Sequence, residues 1–122
     1  MEMPLSEILD RMSILKLKVE RIGEPHLKKE MQEYEKAIKR FERKGIKIKE
    51  EWLAEFDNIH KQIWDLEADI RKGKEGILGL EEVGRRAIAI RDLNKKRISI
   101  KNKISEETGS GFKDIKMAHA SE

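Results

Sequence analysis

The stretch EEWLAEFDNIHKQIWDLEADIRK, residues 50–72, decides the fold class of this chain. Its apolar residues recur at alternating spacings of three and four, which is the pattern of one continuous stripe on an α-helix. They are Trp52, Phe56, Ile59, Ile63, Leu66 and Ile70. The segment therefore predicts a helix roughly 35 Å long, at a rise of about 1.5 Å per residue, whose stripe must be covered by other helices.

Three further segments repeat this pattern and are bounded by a proline at the start or a glycine at the end. The four predicted helices span residues 4–22, 25–44, 50–72 and 80–108. Short connections force neighbouring helices to run antiparallel. The predicted fold is therefore all-α, an antiparallel up-down-up-down four-helix bundle over residues 1–111, followed by a short flexible C-terminal tail over residues 112–122.

Composition narrows the class of protein. Charged residues make up 42% of the 122 residues and aromatic residues only 5%, a profile of long helices with solvated faces that is also similar to proteins from hot environments. The absence of cysteine excludes a disulfide framework, a thiolate metal site and a cysteine nucleophile. Because neither a signal peptide nor an apolar membrane span is evident, we expect a cytoplasmic protein without membrane contact.

Charge is distributed unevenly between the last two predicted helices. Residues 50–69 hold seven acidic residues against one lysine, whereas residues 85–103 hold eight basic residues against Asp92. Adjacent antiparallel packing would bring these complementary rims together. The charge pattern therefore favours the third and fourth predicted helices as neighbours.

The first predicted helix has two apolar faces. One is a continuous seam of Leu5, Ile8, Met12, Leu15, Val19 and Ile22. Ile14 and Leu17 project on the opposite side of the helix. An apolar strip left exposed on a single bundle invites pairing, so the sequence predicts a homodimer in which Ile14 and Leu17 pack against a second copy.

Three segments, residues 5–22, 63–71 and 94–110, resemble a family of short, uncharacterised all-helical prokaryotic proteins, a domain of unknown function. That family has an Asp-x-Leu-Ser-Ile-Leu-like first helix, a Leu-Trp-Asp-x-Glu-x-x-Ile-Arg third helix, and Asn-x-x-Arg leading into Leu-Gly-Ser. The positions that match in order and spacing include Trp64, Asp65, Glu67, Gly109 and Ser110. The second helix matches nothing, and the tail reads KMAHASE where the family ends in Lys-Ser-Tyr. The resemblance implies a fold and no assigned activity.

Arg97 is predicted to point inward, because it lies in the apolar stripe of the fourth helix with Leu93 and Ile100 on either side. A buried guanidinium stays charged and needs an acidic partner. Glu67 is the predicted partner, with Asn94 beside it. The group, together with Asp10 and Arg21 of the first helix, either lines a ligand or catalytic site or forms an ion pair that fixes helix register.

Two metal-dependent helical enzyme classes lack their motifs in this sequence. Nucleotide pyrophosphohydrolases bind Mg²⁺ through Glu-Glu-x-x-Glu on one helix, and Glu50, Glu51 and Glu55 have the wrong spacing. Di-iron bundles need two Glu-x-x-His motifs, and only Asp57 with His60 resembles one. We therefore predict no metal and no cofactor.

A basic run could follow a phosphate backbone. It consists of Lys36, Lys39, Arg40, Arg43, Lys44, Lys47 and Lys49. Against this hypothesis, the net charge is only +3, and the one interleaved aromatic residue, Phe41, belongs to the apolar seam. Nucleic-acid binding is accordingly the third hypothesis. The first is a non-enzymatic helical interaction or adaptor protein that self-associates, and the second is a small-molecule or nucleotide-processing enzyme with a polar site between helices three and four.

Overall fold

The computed structural model describes residues 3–109, and this part of the chain is all-α, as predicted, with no strand. The predicted fourth helix corresponds to α5. The predicted C-terminal tail, residues 112–122, lies outside the described residues. The helices are α1 (Leu5–Arg21), α2 (Pro25–Arg43), α3 (Glu50–Arg71), α4 (Glu75–Leu78) and α5 (Leu80–Thr108).

The ends of the four long helices lie within one residue of the predicted ends. Pro25 occupies the first turn of α2, where its missing N–H is not needed. Gly23, at φ 76°, takes the left-handed conformation that ends α1. The single turn α4 was not predicted, because the glycines at 73, 76 and 79 indicated a loop. It forms because the carbonyl of Lys74 accepts hydrogen bonds from the amides of Ile77 and Leu78 at 3.0 and 3.1 Å.

Helix α1 occupies the centre of the packing. It packs against α2, α3 and α5, and α3 also packs against α5. Within residues 3–109, the backbone of α2 lies close to that of α1 alone, although Ile38 and Phe41 of α2 also reach the apolar core shared by α1, α3 and α5. Ion pairs give the directions of the helices. Lys101 and Arg97 of α5 bind Glu7 and Asp10 of α1 in reversed order, so α1 and α5 are antiparallel.

The apolar core consists of two groups of side chains on different sides of α1. One group joins α1 to α3 and α5 and consists of Leu5, Leu9, Trp52, Phe56 and Ile104. The other joins α1 to α2 and consists of Ile8, Leu15, Leu27, Tyr34 and Ala37. Deleting a buried aromatic side chain typically costs about 3–5 kcal/mol, so Trp52 and Phe56 anchor the first group.

The two-faced character of α1 is confirmed, but the predicted use of its second face is wrong at Leu17. Leu17 is only 3% exposed, and Ile14 is half-buried. The face that the sequence assigned to a second copy is covered within the chain, because α1 packs against α3 and α5 as well as against α2. Leu17 is therefore a core residue and not part of a dimer contact.

The acidic rim of α3 and the basic rim of α5 meet at one point in the described part of the chain. Arg86 lies 3.4 Å from Asp69. Two other acids of the rim pair with α1 instead: Asp57 with Lys16 at 3.3 Å and Asp65 with Arg21 at 2.6 Å. Within residues 3–109, no helix is long and apolar enough to cross a bilayer.

Candidate functional site

A buried carboxylate, Asp10 of α1, joins three helices. Asp10 is 3% exposed. Its Oδ1 lies 2.7 Å from Nε2 of His60 on α3, and its Oδ2 accepts a hydrogen bond from Nη1 of Arg97 on α5 at 3.1 Å. Lys101 Nζ, one helical turn beyond Arg97, lies 3.9 Å from Oδ2. We call Asp10, His60, Arg97 and Lys101 the Asp10 cluster.

The face of α1 that bears Asp10 is polar and buried. Ser6, Asp10 and Ser13 follow one another at spacings of four and three, which places them on one side of the helix, and each is less than a tenth exposed. Each polar group has a partner across the interface. The Ser6 hydroxyl lies 3.3 Å from that of Ser105, and Ser13 Oγ donates to Asp57 Oδ1 at 2.6 Å. Buried polar groups paired in this way fix how helices align.

Glu7 extends the cluster toward the surface. Its carboxylate receives Lys101 Nζ at 2.5 Å and Arg11 Nε at 2.8 Å. Burial alone would raise the pKa of Glu7, but the hydrogen bonds and charges of Lys101 and Arg11 outweigh it, so the pKa lies below its ordinary value. The same bond to Glu7, with a further contribution from Tyr34, raises the pKa of Arg11.

The chemistry that this cluster offers is charge pairing. An Asp–His pair can orient a histidine for general-base catalysis, but the ring must then reach a substrate, a water or a protein nucleophile, and His60 is only 4% exposed. The nearby serines bind Ser105 and Asp57 instead. In the part of the chain that the structure describes, no group of three or more His, Cys, Asp or Glu residues could hold a metal ion. The cluster is therefore an interior network that joins α1, α3 and α5.

One atom of the cluster is not satisfied. Arg97 Nε is buried and has no hydrogen-bond partner among the described residues. An unpaired buried donor costs about 1–3 kcal/mol. The rest of the Arg97 side chain reaches toward the surface, with 31% of its area exposed. The guanidinium is thus held at the edge of the interior by a single carboxylate.

The predicted partner of Arg97 is wrong. Arg97 binds Asp10, whereas Glu67 accepts a hydrogen bond from Arg71 Nη1 at 3.0 Å, one turn along α3. Asn94 is half-buried one turn before Arg97. An open groove of about 610 Å³ lies between α3 and α5, but none of Glu67, Asn94 and Arg97 lines it. The sequence named Asp10 as a member of the same polar group, but it assigned Glu67 of α3 as the partner of Arg97.

Arg21 and Glu67 belong to a second group around Trp64. The Arg21 guanidinium lies 5.8 Å from the Trp64 ring centroid, and that of Arg71 lies 4.4 Å from it. Arg21 also binds Asp65, and Arg71 binds Glu67. Of the five predicted site residues, only Asp10 and Arg97 are in contact with each other.

Sequence reasoning missed His60, Lys101 and Glu7. Signals for all three were present. His60 lies one helical turn after Phe56, so it falls on the same buried side of α3. Lys101 follows Arg97 by four residues, and Glu7 precedes Asp10 by three, which puts two bases and two acids on single helix faces. Opposite charges at matching spacings on two helices indicate that these faces meet.

The predicted basic run divides in the structure. Lys36, Lys39, Arg40 and Arg43 lie exposed on α2. Lys44 stacks on Phe41, 5.8 Å from its ring centroid, and Lys47 lies in the linker to α3. Lys49 is engaged elsewhere, 3.2 Å from Glu107 and 5.6 Å from the Trp52 ring centroid.

Comparison of the chain with family models, with curated proteins and with solved structures found no match. The fold and the Asp10 cluster define the class: an all-helical protein whose interior charges bind one another.

Proposed function

We propose that this chain is a non-enzymatic helical interaction protein that self-associates and serves as an adaptor. One observation carries the proposal. Among the described residues, the large apolar side chains that are most exposed all lie at one end of the molecule. They are Ile22 (52% exposed), Ile77 (84%), Leu80 (88%) and Ile88 (54%). We call these four residues the apolar end.

The apolar end exists because the helices differ in length. Arg21, the last residue of α1, binds Asp65, while α3 continues to Arg71. The first turns of α5 lie beside this last part of α3, since Arg86 binds Asp69. Helices α3 and α5 therefore extend past α1, and side chains there have no α1 to cover them. Large apolar side chains exposed at one end of a molecule are candidates for an association surface.

A second copy of the chain is the partner that fits the charges. The start of α5 carries Glu81 and Glu82, and its next turns carry Arg85 and Arg91 on either side of Ile88. Glu81 and Glu82 pair with Arg85 at 3.0 and 3.1 Å, but such exposed pairs contribute little and can be exchanged for pairs with a second copy. If two such segments pair antiparallel about a two-fold axis, the acidic turn of one faces the basic turns of the other. Gly84 lies between them in open space, so the two backbones can approach closely.

The proposal also covers the arrangement of the helices. The four long helices act as one antiparallel bundle in which α1 has three neighbours, and the resemblance to short all-helical prokaryotic proteins supports this arrangement. The enzyme hypothesis receives less support, because Glu67 and Arg97, the residues on which it rested, bind different partners.

Sedimentation velocity over a range of concentrations tests the self-association. The wild-type chain is expected to sediment as a dimer at high micromolar concentration. The double substitution Ile77→Glu and Leu80→Glu is expected to give a monomer, because four carboxylates would have to enter the contact of a two-fold dimer. Circular dichroism is expected to be unchanged, since both side chains are exposed.

Two controls separate association from folding. Ala54→Glu adds a charge at an exposed position on α3, away from the apolar end, and should leave the dimer intact. Leu17→Glu should unfold the chain, because that side chain is buried. A wild-type chain that stays monomeric at high micromolar concentration contradicts the proposal, and so does a double variant that stays dimeric.

A further inference from the structure

The outward face of α2 is basic along its whole length. Tyr34 and Ala37 face α1 and are buried. At about 100° per residue, the opposite side of the helix presents seven side chains. They are Lys28, Lys29, Gln32, Lys36, Lys39, Arg40 and Arg43, and all are exposed. The acidic residues of α2 lie outside this set, on the flanks of the helix. We call this set the α2 basic face.

These bases are almost unpaired. In the described part of the chain, Lys36 is the one base of the face with an ion pair, and its partner Glu33 is 3.5 Å away. The face carries six positive charges although the formal net charge of the whole chain is only +3. The rest of the chain is therefore net negative. Helix α5 also carries eight basic residues, but Arg86, Arg97 and Lys101 among them pair with acids of α3 and α1. Six like charges along one helix repel one another.

Helix α2 stands out from the molecule as a ridge. Its backbone lies close to that of α1 and, within the described residues, to that of no other helix, so its outward half is open to solvent. From Lys28 to Arg43 the face is roughly 22 Å long at a rise of about 1.5 Å per residue. In the helical projection, Lys28 and Lys39 lie on one side of the centre of this face, and Lys29, Lys36 and Arg40 lie on the other.

We propose that the α2 basic face binds duplex DNA, with the helix lying along the major groove and its two rows of bases on the phosphates of the two strands. A helix with its side chains is about 10–12 Å wide, and the major groove of B-form DNA is about 12 Å wide. The deep, narrow major groove of duplex RNA does not admit a helix in this way.

Other partners fit this face less well. An anionic membrane surface attracts the same bases by charge alone, at about 1 kcal/mol per base. Helix α2 can add no apolar insertion to this attraction, because its apolar face is buried against α1. Single-stranded nucleic acid needs aromatic platforms, but Tyr34 and Phe41 of α2 belong to the cores. Part of the acidic side of α3 is already engaged, because Asp57, Asp65 and Asp69 pair with bases of their own chain.

Fluorescence anisotropy with a labelled random-sequence duplex of about 20 base pairs, titrated at several salt concentrations, tests the proposal. Non-specific dissociation constants of this kind are typically 10⁻⁴ to 10⁻⁶ M near physiological salt. Each phosphate contact contributes about −0.9 to the slope of log K against log salt. Six contacts therefore predict a slope of about −5 for the wild-type chain.

A matched pair of triple variants localises the contact. Lys29→Gln, Lys36→Gln and Arg43→Gln remove three charges from the face and should bring the slope about three units closer to zero, with at least a tenfold loss of affinity at low salt. Lys72→Gln, Lys74→Gln and Lys103→Gln remove three exposed charges elsewhere and should retain the wild-type slope. Circular dichroism checks that both variants are folded.

Four results would overturn the proposal: no binding at low salt, equal losses in the two triple variants, equal affinity for single-stranded DNA of the same length, or equal affinity for duplex RNA. Displacement of the duplex by poly-glutamate at equal charge concentration would overturn it as well, since the face would then recognise carboxylates. The α2 basic face and the apolar end share no residue, so this test does not depend on self-association.

Discussion

The Asp10 cluster and the α2 basic face use charge in opposite ways. In the cluster, one carboxylate with 3% of its surface exposed is bound by groups from two other helices. On α2, only one of the six exposed bases forms an ion pair among the described residues. Buried charges must be paired where they lie, because water cannot solvate them. Exposed charges need no such partner, so they are free to bind another molecule.

Breaking the cluster should have the largest effect on stability. Asp10→Asn leaves His60 and Arg97 without their anion, and losing one partner of a buried pair typically costs about 3–5 kcal/mol. Urea unfolding followed by circular dichroism measures the loss. The triple variant of the α2 basic face is the control, and each of its substitutions should change the free energy of unfolding by less than about 0.5 kcal/mol. Similar losses in both variants would remove the distinction between the two regions.

A double-mutant cycle should show which carboxylate holds Arg97. Arg97→Met is expected to cost about 1–3 kcal/mol, less than Asp10→Asn, because part of the arginine side chain is exposed. The coupling free energy between Arg97→Met and Asp10→Asn should be about 0.5–3 kcal/mol, whereas that between Arg97→Met and Glu67→Gln should be near zero. The free energies come from urea unfolding of the two cycles. Strong coupling to Glu67 would contradict the observed pairing and restore the one predicted from sequence.

The pH dependence of stability should reveal the smaller contribution of Glu7. Its pKa is lowered in the folded chain, so ionised Glu7 stabilises the fold above its unfolded pKa, and this stabilisation is lost as the pH falls through the folded value. Glu7→Gln should therefore cost roughly 1 kcal/mol at neutral pH and little in strong acid. Unfolding free energies of both proteins from neutral to acidic pH measure the difference.

Glu35→Gln is the control for this titration, since Glu35 is exposed on α2. Its stability profile should parallel that of the wild-type chain. If the difference between Glu7→Gln and wild type were constant across the pH range, the carboxylate would not be stabilised by Lys101 and Arg11.

Two of the four residues of the Asp10 cluster were predicted from the sequence. Asp10 and Arg97 were both predicted to belong to one polar group, but Glu67 was predicted as the direct partner of Arg97. Helical spacing shows which residues share a face of one helix. It does not show which face of another helix lies opposite. Arg97 could reach any acid on a neighbouring helix, and Glu67 on the next helix back along the chain was the nearest choice.

The sequence by itself determined the all-α class and the helix ends, because prolines, glycines and three-four apolar spacing act locally. It also determined that α1 has two faces to bury. Only the tertiary structure decided what covers the second face. In the sequence alone, Ser6, Asp10 and Ser13 are typical of a solvated helix face. In the structure, Asp57 and His60 of α3 and Arg97 of α5 lie against this face and bind Asp10 and Ser13. The energy of a buried polar contact depends on the partner, and the partners of Ser6, Asp10 and Ser13 lie 44 to 99 residues away in the chain.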